Sequence, residues 1–223
     1  MSLEKTEVKL HENNRPNLSR YSITAWFYDM LDLPWERQYS KWRPHLVGGV
    51  RGKTLEAGIG TGRNLKYYHH DVHLTGIDLC PAMIRRAHKR SKKASCKVTL
   101  FQEDACLMES IQSNHYDWIV STFLCCVIPE DLQKSVLDQF ARVLRPGGQF
   151  RLLEMVYSQK PHLKRRQDFF APFVEKVYGA RFDRKTLHHV TGSDNLKVTG
   201  TQYLKEDVYL LIDGIKRSSE PTV

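Results

Sequence analysis

The stretch Thr54-Leu55-Glu56-Ala57-Gly58-Ile59-Gly60-Thr61-Gly62-Arg63-Asn64 decides the fold of this 223-residue chain. It overlaps the end of a predicted strand, Lys53–Ala57, and opens a predicted helix near Arg63–Tyr68. The three glycines between them form the kind of turn in which backbone N–H groups can cradle an anion. Because glycines alone are a weak signal, the acidic residues around them carry the interpretation.

Two carboxylates narrow the choice of ligand. Asp78 ends the second predicted strand, 78 − 56 = 22 positions after Glu56, where a carboxylate can accept both hydroxyls of a ribose. A dinucleotide fingerprint would continue with a small residue at position 63, but Arg63 stands there. The negative charge of Glu56 would repel a pyrophosphate and suits a ligand with a cationic amino group.

The order acid-x-Gly-x-Gly-x-Gly resembles the cofactor loop of class I S-adenosylmethionine-dependent methyltransferases, and further matches cover roughly residues 50–157. Asp78 matches the ribose-binding acid of that family. Glu103-Asp104-Ala105 matches its adenine-binding turn, although an aspartate in this position can equally be a helix N-cap. Ser121-Thr122-Phe123 matches the strand end beside the methionine portion, and Leu144-Arg145-Pro146-Gly147-Gly148 matches the turn before the fifth strand.

The resemblance implies S-adenosyl-L-methionine as the cofactor, and no metal is expected. In the adenine turn, Asp104 would accept the exocyclic amine and the Ala105 N–H would meet a ring nitrogen. The full set of cofactor-binding residues expected is Tyr28, Glu56, Ala57, Gly58, Gly60, Gly62, Asn64, Asp78, Leu79, Met83, Asp104, Ala105, Thr122 and Phe123.

Outward from the glycine turn, strands and helices alternate. The predicted strands are Lys53–Ala57, His73–Asp78, Lys97–Gln102, Tyr116–Phe123, Gln149–Val156, Leu196–Tyr203 and Val208–Ile215. The predicted helices are Arg63–Tyr68, Pro81–Lys93 and Asp131–Leu144. This alternation predicts an α/β, doubly wound, Rossmann-like fold with a seven-stranded, mostly parallel sheet, helices on both faces and an N-terminal helical lid.

The segments around this core complete a single predicted methyltransferase domain, 18–217. Residues 1–17 are expected to be a flexible tail, and 18–46 a lid of two short helices separated near Leu33-Pro34. In the lid, Tyr28-Asp29 resembles a pair found in quinone C-methyltransferases and phospholipid N-methyltransferases. Tyr28 could pack against the sulfonium or simply anchor its helix. The core is expected at 50–157, an acceptor-side insertion at 157–182 and the C-terminal strands at 183–217.

The acceptor is not fixed by the resemblance. Leu124-Cys125-Cys126-Val127 resembles a segment of membrane-associated thiol methyltransferases, whereas Phe182-Asp183-Arg184-Lys185-Thr186 resembles the turn before the last helix of other small-molecule enzymes. These groups methylate carbon, nitrogen or sulfur. The candidate catalytic residues are Glu154, at the end of the fifth strand, and Tyr157, with His188-His189 as further candidates on the acceptor side.

Composition sets the outer limits. The chain has 34 Lys and Arg against 25 Asp and Glu, a net charge of +9, and 41% hydrophobic residues, which is typical of a globular protein. No segment approaches the roughly 18 apolar residues of a membrane span. Five cysteines without a C-x-x-C pair argue against disulfides and structural zinc and indicate buried thiols. We therefore expect a cytoplasmic protein.

The excess positive charge leaves the partner open. One basic cluster, on the predicted helix Pro81–Lys93, is interpreted as a solvated face, and the other, Lys164-Arg165-Arg166, lies beside Phe169, Phe170 and Phe173. The second cluster could meet a small-molecule or lipid acceptor, or make peripheral membrane contact. The alternatives are a nucleic-acid methyltransferase, disfavoured because the Asn/Asp-Pro-Pro-aromatic motif is missing, and a non-catalytic cofactor-binding protein. No nucleic-acid partner is expected, and the sequence leaves the oligomeric state open.

Overall fold

The computed structural model describes residues 9–16, 18–19 and 33–218. The strands in this part of the chain are β1 (Gly52–Ala57), β2 (Val72–Asp78), β3 (Lys97–Gln102), β4 (Tyr116–Thr122), β5 (Leu144–Met155), β6 (Leu196–Leu204) and β7 (Tyr209–Lys216). The α-helices are α1 (Leu33–Val47), α2 (Pro81–Ser91), α3 (Gln133–Val143), α4 (Pro161–Tyr178) and α5 (Thr186–Thr191). Short 3-10 turns occur at Glu12–Asn14, Leu65–Tyr67 and Glu130–Leu132.

All seven strands form one sheet in the order β3-β2-β1-β4-β5-β7-β6. The first five strands of that order run parallel, and β7 pairs antiparallel with both β5 and β6. Strand β1 lies beside both β2 and β4, so the chain order reverses there. Ligands of open α/β sheets bind outside the carboxyl ends of strands at such a reversal. The predicted doubly wound, mostly parallel sheet is confirmed.

Apolar side chains cover both faces of the sheet, because successive residues of a strand point to opposite sides. On one face, Ile119 of β4 packs in a cluster with Phe140 of α3. On the other, its neighbour Val120 packs in a cluster with Leu46 of α1 and Ile84 of α2. Helices therefore lie on both faces of the sheet, as predicted.

Strand β5 begins earlier than the sequence suggests. Leu144 already pairs with Tyr116, and regular pairing resumes only at Gln149 opposite Trp118, so residues 145–148 form a bulge inside the strand. Gly147, with φ of +72°, permits this course. The Arg145-Pro146-Gly147-Gly148 motif still ends α3, but the prediction that β5 starts after it is wrong.

The prediction of a helix near Arg63–Tyr68 is also wrong, because only the 3-10 turn Leu65–Tyr67 forms there. Tyr68 is already extended, with φ of −68° and ψ of 141°, and leads the chain into β2. The side chain of Asn64 bonds to Glu56 and Thr122 and does not cap a helix. The following helix, predicted to end at Lys93, ends at Ser91.

The peripheral segments are helical where they are described. The described part of helix α1 runs from Leu33 to Val47, while Tyr28 and the rest of 20–32 lie outside the described residues, so the predicted break near Leu33-Pro34 stays a prediction. The insertion 157–182 contains the 18-residue helix α4. The short helix α5 precedes β6 and begins at Thr186, the last residue of the stretch that resembles a turn before a helix, although the predicted domain division named only strands at 183–217. No helix in the described part of the chain has the length and hydrophobicity of a membrane span.

Candidate active site

A pocket opens at the carboxyl ends of β1, β2 and β4, where the sheet order reverses. Ten of the predicted cofactor residues line it: Glu56, Gly58, Gly60, Asn64, Asp78, Leu79, Met83, Ala105, Thr122 and Phe123. Ala57, Gly62 and Asp104 do not line it. The sheet thus brings together residues that are separated by up to 123 − 56 = 67 positions in the sequence.

The glycine turn owes its shape to positive φ angles. Gly58, Gly60 and Gly62 have φ values of +71°, +55° and +79°, which side chains with a Cβ atom rarely adopt. A Cβ atom on Gly60 would meet nothing within 4 Å, so this residue opens toward the pocket. A Cβ atom on Gly62 would instead lie 3.1 Å from Cα of Ala87 in α2. Gly62 therefore serves close packing of the turn against α2.

Asp78 holds the turn in place from the end of β2. Its Oδ2 atom accepts a hydrogen bond from the Gly60 N–H at 2.9 Å, and Oδ1 accepts one from the Cys80 N–H at 2.9 Å. Burial raises the pKa of Asp78 to about 6, although these two donors act in the opposite direction. Each carboxylate oxygen has a second lone pair, so Asp78 can accept further hydrogen bonds from ligand hydroxyls.

Glu56 is a nearly inaccessible carboxylate that lines the pocket. Asn64 donates from Nδ2 to its Oε1 atom at 2.7 Å, while Oε2 has no hydrogen-bond partner among the described residues. Burial raises the pKa of Glu56 to about 7, and the Asn64 amide, the nearby Tyr68 hydroxyl and the charge of Arg43 lower it. A buried carboxylate with a free acceptor atom fits a ligand that carries an ammonium group. This observation agrees with S-adenosylmethionine.

A polar network connects Glu56 to α1. Asn64 also donates to Oγ1 of Thr122 at 3.2 Å and accepts from Nη1 of Arg43 at 2.6 Å. Arg43 pairs with Glu36 at 3.0 Å, and Nη1 of Arg63 lies 3.1 Å from the same Glu36 oxygen. The positive charges of the two arginines thus offset the negative charges of Glu36 and Glu56 beside the pocket. Glu36 and Arg43 were not predicted as site residues, and their spacing of seven residues along a helix was the available signal.

The adenine turn differs from the expectation at Asp104. Its carboxylate is fully buried and accepts hydrogen bonds from the His11 N–H at 3.0 Å, Asn14 Nδ2 at 3.0 Å and the Cys106 N–H at 2.9 Å. Asn14, which is 2% exposed, lines the pocket together with Glu103 and Ala105. Within the segment expected to be a tail, His11 and Asn14 are thus hydrogen-bonded to the core through Asp104.

The end of β4 supplies an apolar wall. Phe123 adopts a φ of +57°, an uncommon conformation for an aromatic residue, and lines the pocket with Leu124, Val127 and Ile128. The ring of Tyr39 in α1 lies 5.1 Å from that of Phe123 and lines the same pocket. Only Phe123 of these five residues was predicted. The apolar run from Phe123 to Ile128 could have indicated Leu124, Val127 and Ile128, but it gives no signal for Tyr39.

The predicted catalytic residues lie elsewhere. Glu154 is 1% exposed, and its two oxygens accept the N–H groups of Cys125 and Cys126 at 2.9 Å each. Burial raises its pKa to about 7, against the effect of these donors. Glu154 lines a second, more open groove with Arg184 and His188 and does not line the cofactor pocket.

Tyr157 is also outside the pocket. Its ring packs against Phe182 with centroids 5.5 Å apart, and Nζ of Lys164 lies 5.1 Å from the ring centre. Burial, followed by Asp168, raises the pKa of the Tyr157 hydroxyl. The structure therefore does not bring Glu154 or Tyr157 together with the cofactor residues.

The cysteines agree with the prediction of buried thiols. All five are free and buried. Burial, and next the charge of Glu154, raises the pKa of Cys125 and Cys126 well above the usual value, so neither is a ready nucleophile. A cluster of possible metal ligands in the described part of the chain, His69, His70 and Asp71, lies away from the pocket residues and is largely exposed.

Comparison with known proteins identifies this arrangement. Residues 54–148 match a family model described as a methyltransferase domain. The chain is 32% identical over 154 residues to the phosphatidylethanolamine N-methyltransferase of Cereibacter sphaeroides, covering 68% of this chain and 73% of that protein. It is 32% identical over 118 residues to a thiol S-methyltransferase of Homo sapiens, covering 50% of this chain and 46% of that protein.

Solved structures share the fold. The N-methyltransferase NodS from Bradyrhizobium japonicum WM9, in complex with S-adenosyl-l-homocysteine, superposes with a TM-score of 0.61 at 19% identity, covering 82% of this chain and 88% of that one. An identity this low supports the fold alone. The relatives, the matching domain and the cofactor pocket agree, and the chain belongs to the class I S-adenosylmethionine-dependent methyltransferases, in the group of phospholipid, thiol and quinone methyltransferases.

Proposed function

We propose that this methyltransferase acts on a lipophilic acceptor, with the amine of a phospholipid headgroup as the first candidate and a thiol as the second. The observation that carries the proposal is the wall formed after β4. From Phe123 to Ile128 the chain has no charged residue, and Phe123, Leu124, Val127 and Ile128 all line the pocket. A wall of this composition favours an acceptor with apolar surface next to its reacting atom.

The polar residues of the pocket suit the cofactor. Glu56 would bind the amino group, Asp78 the ribose hydroxyls, and the Ala105 N–H the adenine ring. When bound, S-adenosylmethionine supplies an electrophilic methyl group. Because direct displacement needs the acceptor in line with that group, the main task of Phe123 and Tyr39 is to align the acceptor and exclude water.

The position of Glu154 decides whether it can act as the general base that removes a proton from the acceptor. Its oxygens hold the backbone of Cys125 and Cys126, so we propose Glu154 as a positioning residue for the apolar wall. A general base must lie within hydrogen-bond reach of the proton that it removes. With Glu154 outside the pocket, an amine acceptor would react in its neutral form, and the transfer rate should rise with pH up to the pKa of that amine.

The relatives support both candidates. A phosphatidylethanolamine N-methyltransferase shares 32% identity with this chain, which favours the phospholipid amine. A thiol S-methyltransferase shares 32% identity over a shorter region, and the Leu124-Cys125-Cys126-Val127 segment favours the thiol. A lipophilic acceptor resides in or on a membrane, so peripheral membrane contact belongs to the same proposal, with the cytoplasm as the compartment.

An acceptor screen with isotope-labelled S-adenosylmethionine tests the proposal. Calorimetry first establishes binding of S-adenosylmethionine and S-adenosylhomocysteine. Phosphatidylethanolamine in detergent micelles, lipophilic thiols, quinols, water-soluble amines and RNA are then compared by mass detection of the methylated product. We expect lipophilic amines or thiols to give product. Methylation confined to RNA or to water-soluble amines would reject the proposal, as would cofactor binding without any methylated product.

A further inference from the structure

Helix α4 lies on the surface of the molecule, and nearly all of its side chains are at least partly exposed. It spans Pro161–Tyr178, which corresponds to about 27 Å at 1.5 Å per residue. Gln167 is its single buried side chain. Phe169, Phe170 and Phe173 are 79%, 51% and 55% exposed. Three exposed phenylalanines within five positions form an apolar patch that water does not favour.

Cations share the same side of the helix. Arg165, Phe169, Phe173 and Lys176 follow one another at spacings of three and four residues, and Arg166 stands beside them, so these exposed residues form one face. We call these five residues the outward face of α4. None of its three cations forms an ion pair within the described residues, whereas the two acids of the helix are paired, Asp168 with Lys164 at 3.6 Å and Glu175 with Arg181 at 3.2 Å.

Gln167, in the first half of α4, and Arg181, just after the helix, hydrogen-bond to the chain after β5 and to the segment after β4. The Ser158 N–H donates to Oε1 of Gln167 at 2.8 Å, and Nε2 of Gln167 donates to the carbonyl of Val156 at 2.8 Å. Just after the helix, the Arg181 N–H donates to the carbonyl of Cys126 at 2.9 Å. Cys126 belongs to the apolar segment 123–128, so whatever α4 contacts is brought close to the acceptor wall.

We propose that the outward face of α4 docks the enzyme on an anionic lipid surface and so presents the pocket to its acceptor. This inference rests on the proposed lipophilic acceptor. In an interfacial helix, Lys and Arg meet the anionic headgroups while aromatic rings enter the acyl boundary. Exposed phenylalanines beside cations that have no ion-pair partner in the described part of the chain match that pattern. A convex helix offers no groove to track a nucleic-acid strand, so a lipid surface fits better than RNA.

Vesicle sedimentation tests the docking. The full-length protein is mixed with vesicles of phosphatidylcholine alone or with 30 mol% phosphatidylglycerol, at low and high salt. We expect binding to the anionic vesicles that weakens with salt. Each cation lost near such a surface weakens binding about fivefold, so R165E/R166E should bind at least about 25-fold more weakly. At high salt the electrostatic attraction is screened and the apolar contribution to vesicle binding remains. There F169S/F173S should bind vesicles more weakly than the wild type by a similar factor.

Matched variants separate docking from general effects. K92E/K93E makes the same charge change at exposed positions after α2, and F101S removes a 42% exposed phenylalanine on β3. Both should bind vesicles like the wild type. The α4 variants should retain S-adenosylmethionine affinity and activity on an acceptor in detergent micelles, and their circular dichroism should match the wild type.

Three outcomes would overturn the inference: wild-type protein that does not bind anionic vesicles, α4 variants that bind like the wild type, or RNA binding that the same variants abolish. These results are distinguishable from failure of the proposed function. If vesicles bind but no lipophilic acceptor is methylated, the proposed function fails. If a lipophilic acceptor is methylated in micelles without any vesicle binding, only the docking role of α4 fails.

Discussion

The cofactor side and the acceptor side of this molecule are built in opposite ways. At the carboxyl ends of β1 and β2, Glu56 and Asp78 are fixed by hydrogen bonds to side chains and backbone that are themselves largely buried. On the acceptor side, α4 contributes one buried side chain and three exposed phenylalanines. The first region is organised before any ligand arrives, whereas the second presents a surface that a partner would complete.

Replacing Asp78 should produce the largest effect on the cofactor side. D78A removes the proposed acceptor of the ribose hydroxyls and the acceptor of the Gly60 N–H, and hydrogen bonds to charged groups contribute about 1.5–3 kcal/mol each. We expect S-adenosylmethionine affinity to fall by at least about 100-fold in calorimetry. D71A, at an exposed position before β2, is the control. Unchanged affinity in D78A would remove the ribose assignment.

Removing the charge of Glu56 should have the next largest effect. E56Q keeps the shape of the side chain but loses the proposed ion pair with the cofactor amino group, so affinity should fall about 10- to 30-fold. The folded-state pKa of Glu56 is raised from its ordinary value of 4.5 to about 7. The stability that the protonated group contributes is therefore lost as pH rises through about 7, and above that pH the buried charge destabilises the wild type. Thermal unfolding at pH 8 should therefore show E56Q to be more stable than the wild type. A less stable E56Q would contradict this account of burial.

The pH dependence of cofactor binding follows from the same group. With a pKa of about 7 for Glu56, the free protein is mostly protonated there at pH 6, and a cation binds the ionised form. Affinity for S-adenosylmethionine should thus be about eightfold weaker at pH 6 than at pH 7.5. In E56Q this slope should largely disappear, leaving a smaller contribution from Asp78, whose pKa is about 6. An equal slope in both proteins would assign the dependence to another group.

Glu154 stands at the boundary between the two regions. In E154Q one of the two N–H donors of Cys125 and Cys126 loses its acceptor, so the apolar wall should loosen. We expect cofactor affinity within twofold of the wild type, acceptor KM raised severalfold and kcat within about fivefold. General acid–base catalysis contributes about 100- to 10,000-fold. A loss of kcat on that scale, with a changed pH profile, would show that Glu154 is the base.

Tyr157 should give the smallest effect of the set. Its hydroxyl lies outside the pocket residues, and its ring contacts with Phe182 and Lys164 survive in Y157F. Steady-state kinetics should show kcat and KM within about twofold of the wild type. A tenfold or greater loss of kcat would place this hydroxyl at the reacting atoms and bring the acceptor side closer to the cofactor side than the structure suggests.

The unequal success of sequence-based prediction follows the same division. Glu56, Gly58, Gly60 and Asp78 were identified because the strand–turn–helix context fixes their backbone, and the sheet order then brings them together. Asp104 shows where this reasoning fails. Its type and position matched the adenine turn, but no local pattern reveals that His11 and Asn14, 90 or more positions away, would use its carboxylate.

Long-range side-chain contacts explain the other differences. Arg43 and Tyr39 reach the pocket from α1 only because that helix packs on the sheet face formed by residues such as Trp118 and Val120. Glu154 was a reasonable candidate base at a strand end, since the sequence does not show which backbone N–H groups will face it. The bulge at residues 145–148 depends on the pairing of Leu144 with Tyr116 in the neighbouring strand. The Pro-Gly-Gly sequence predicts a turn and gives no sign of this pairing.

The Arg43–Asn64 hydrogen bond has a thermodynamic consequence. Through Asn64, the seating of α1 against the sheet and the position of the Glu56 carboxylate depend on each other. A ligand that fixes Glu56 must then favour the seated helix, and by reciprocity any contact that favours the seated helix must tighten the ligand by the same factor. Binding of S-adenosylmethionine in the cofactor pocket should therefore slow amide hydrogen exchange in the first turns of α1, near Glu36 at the other end of this network.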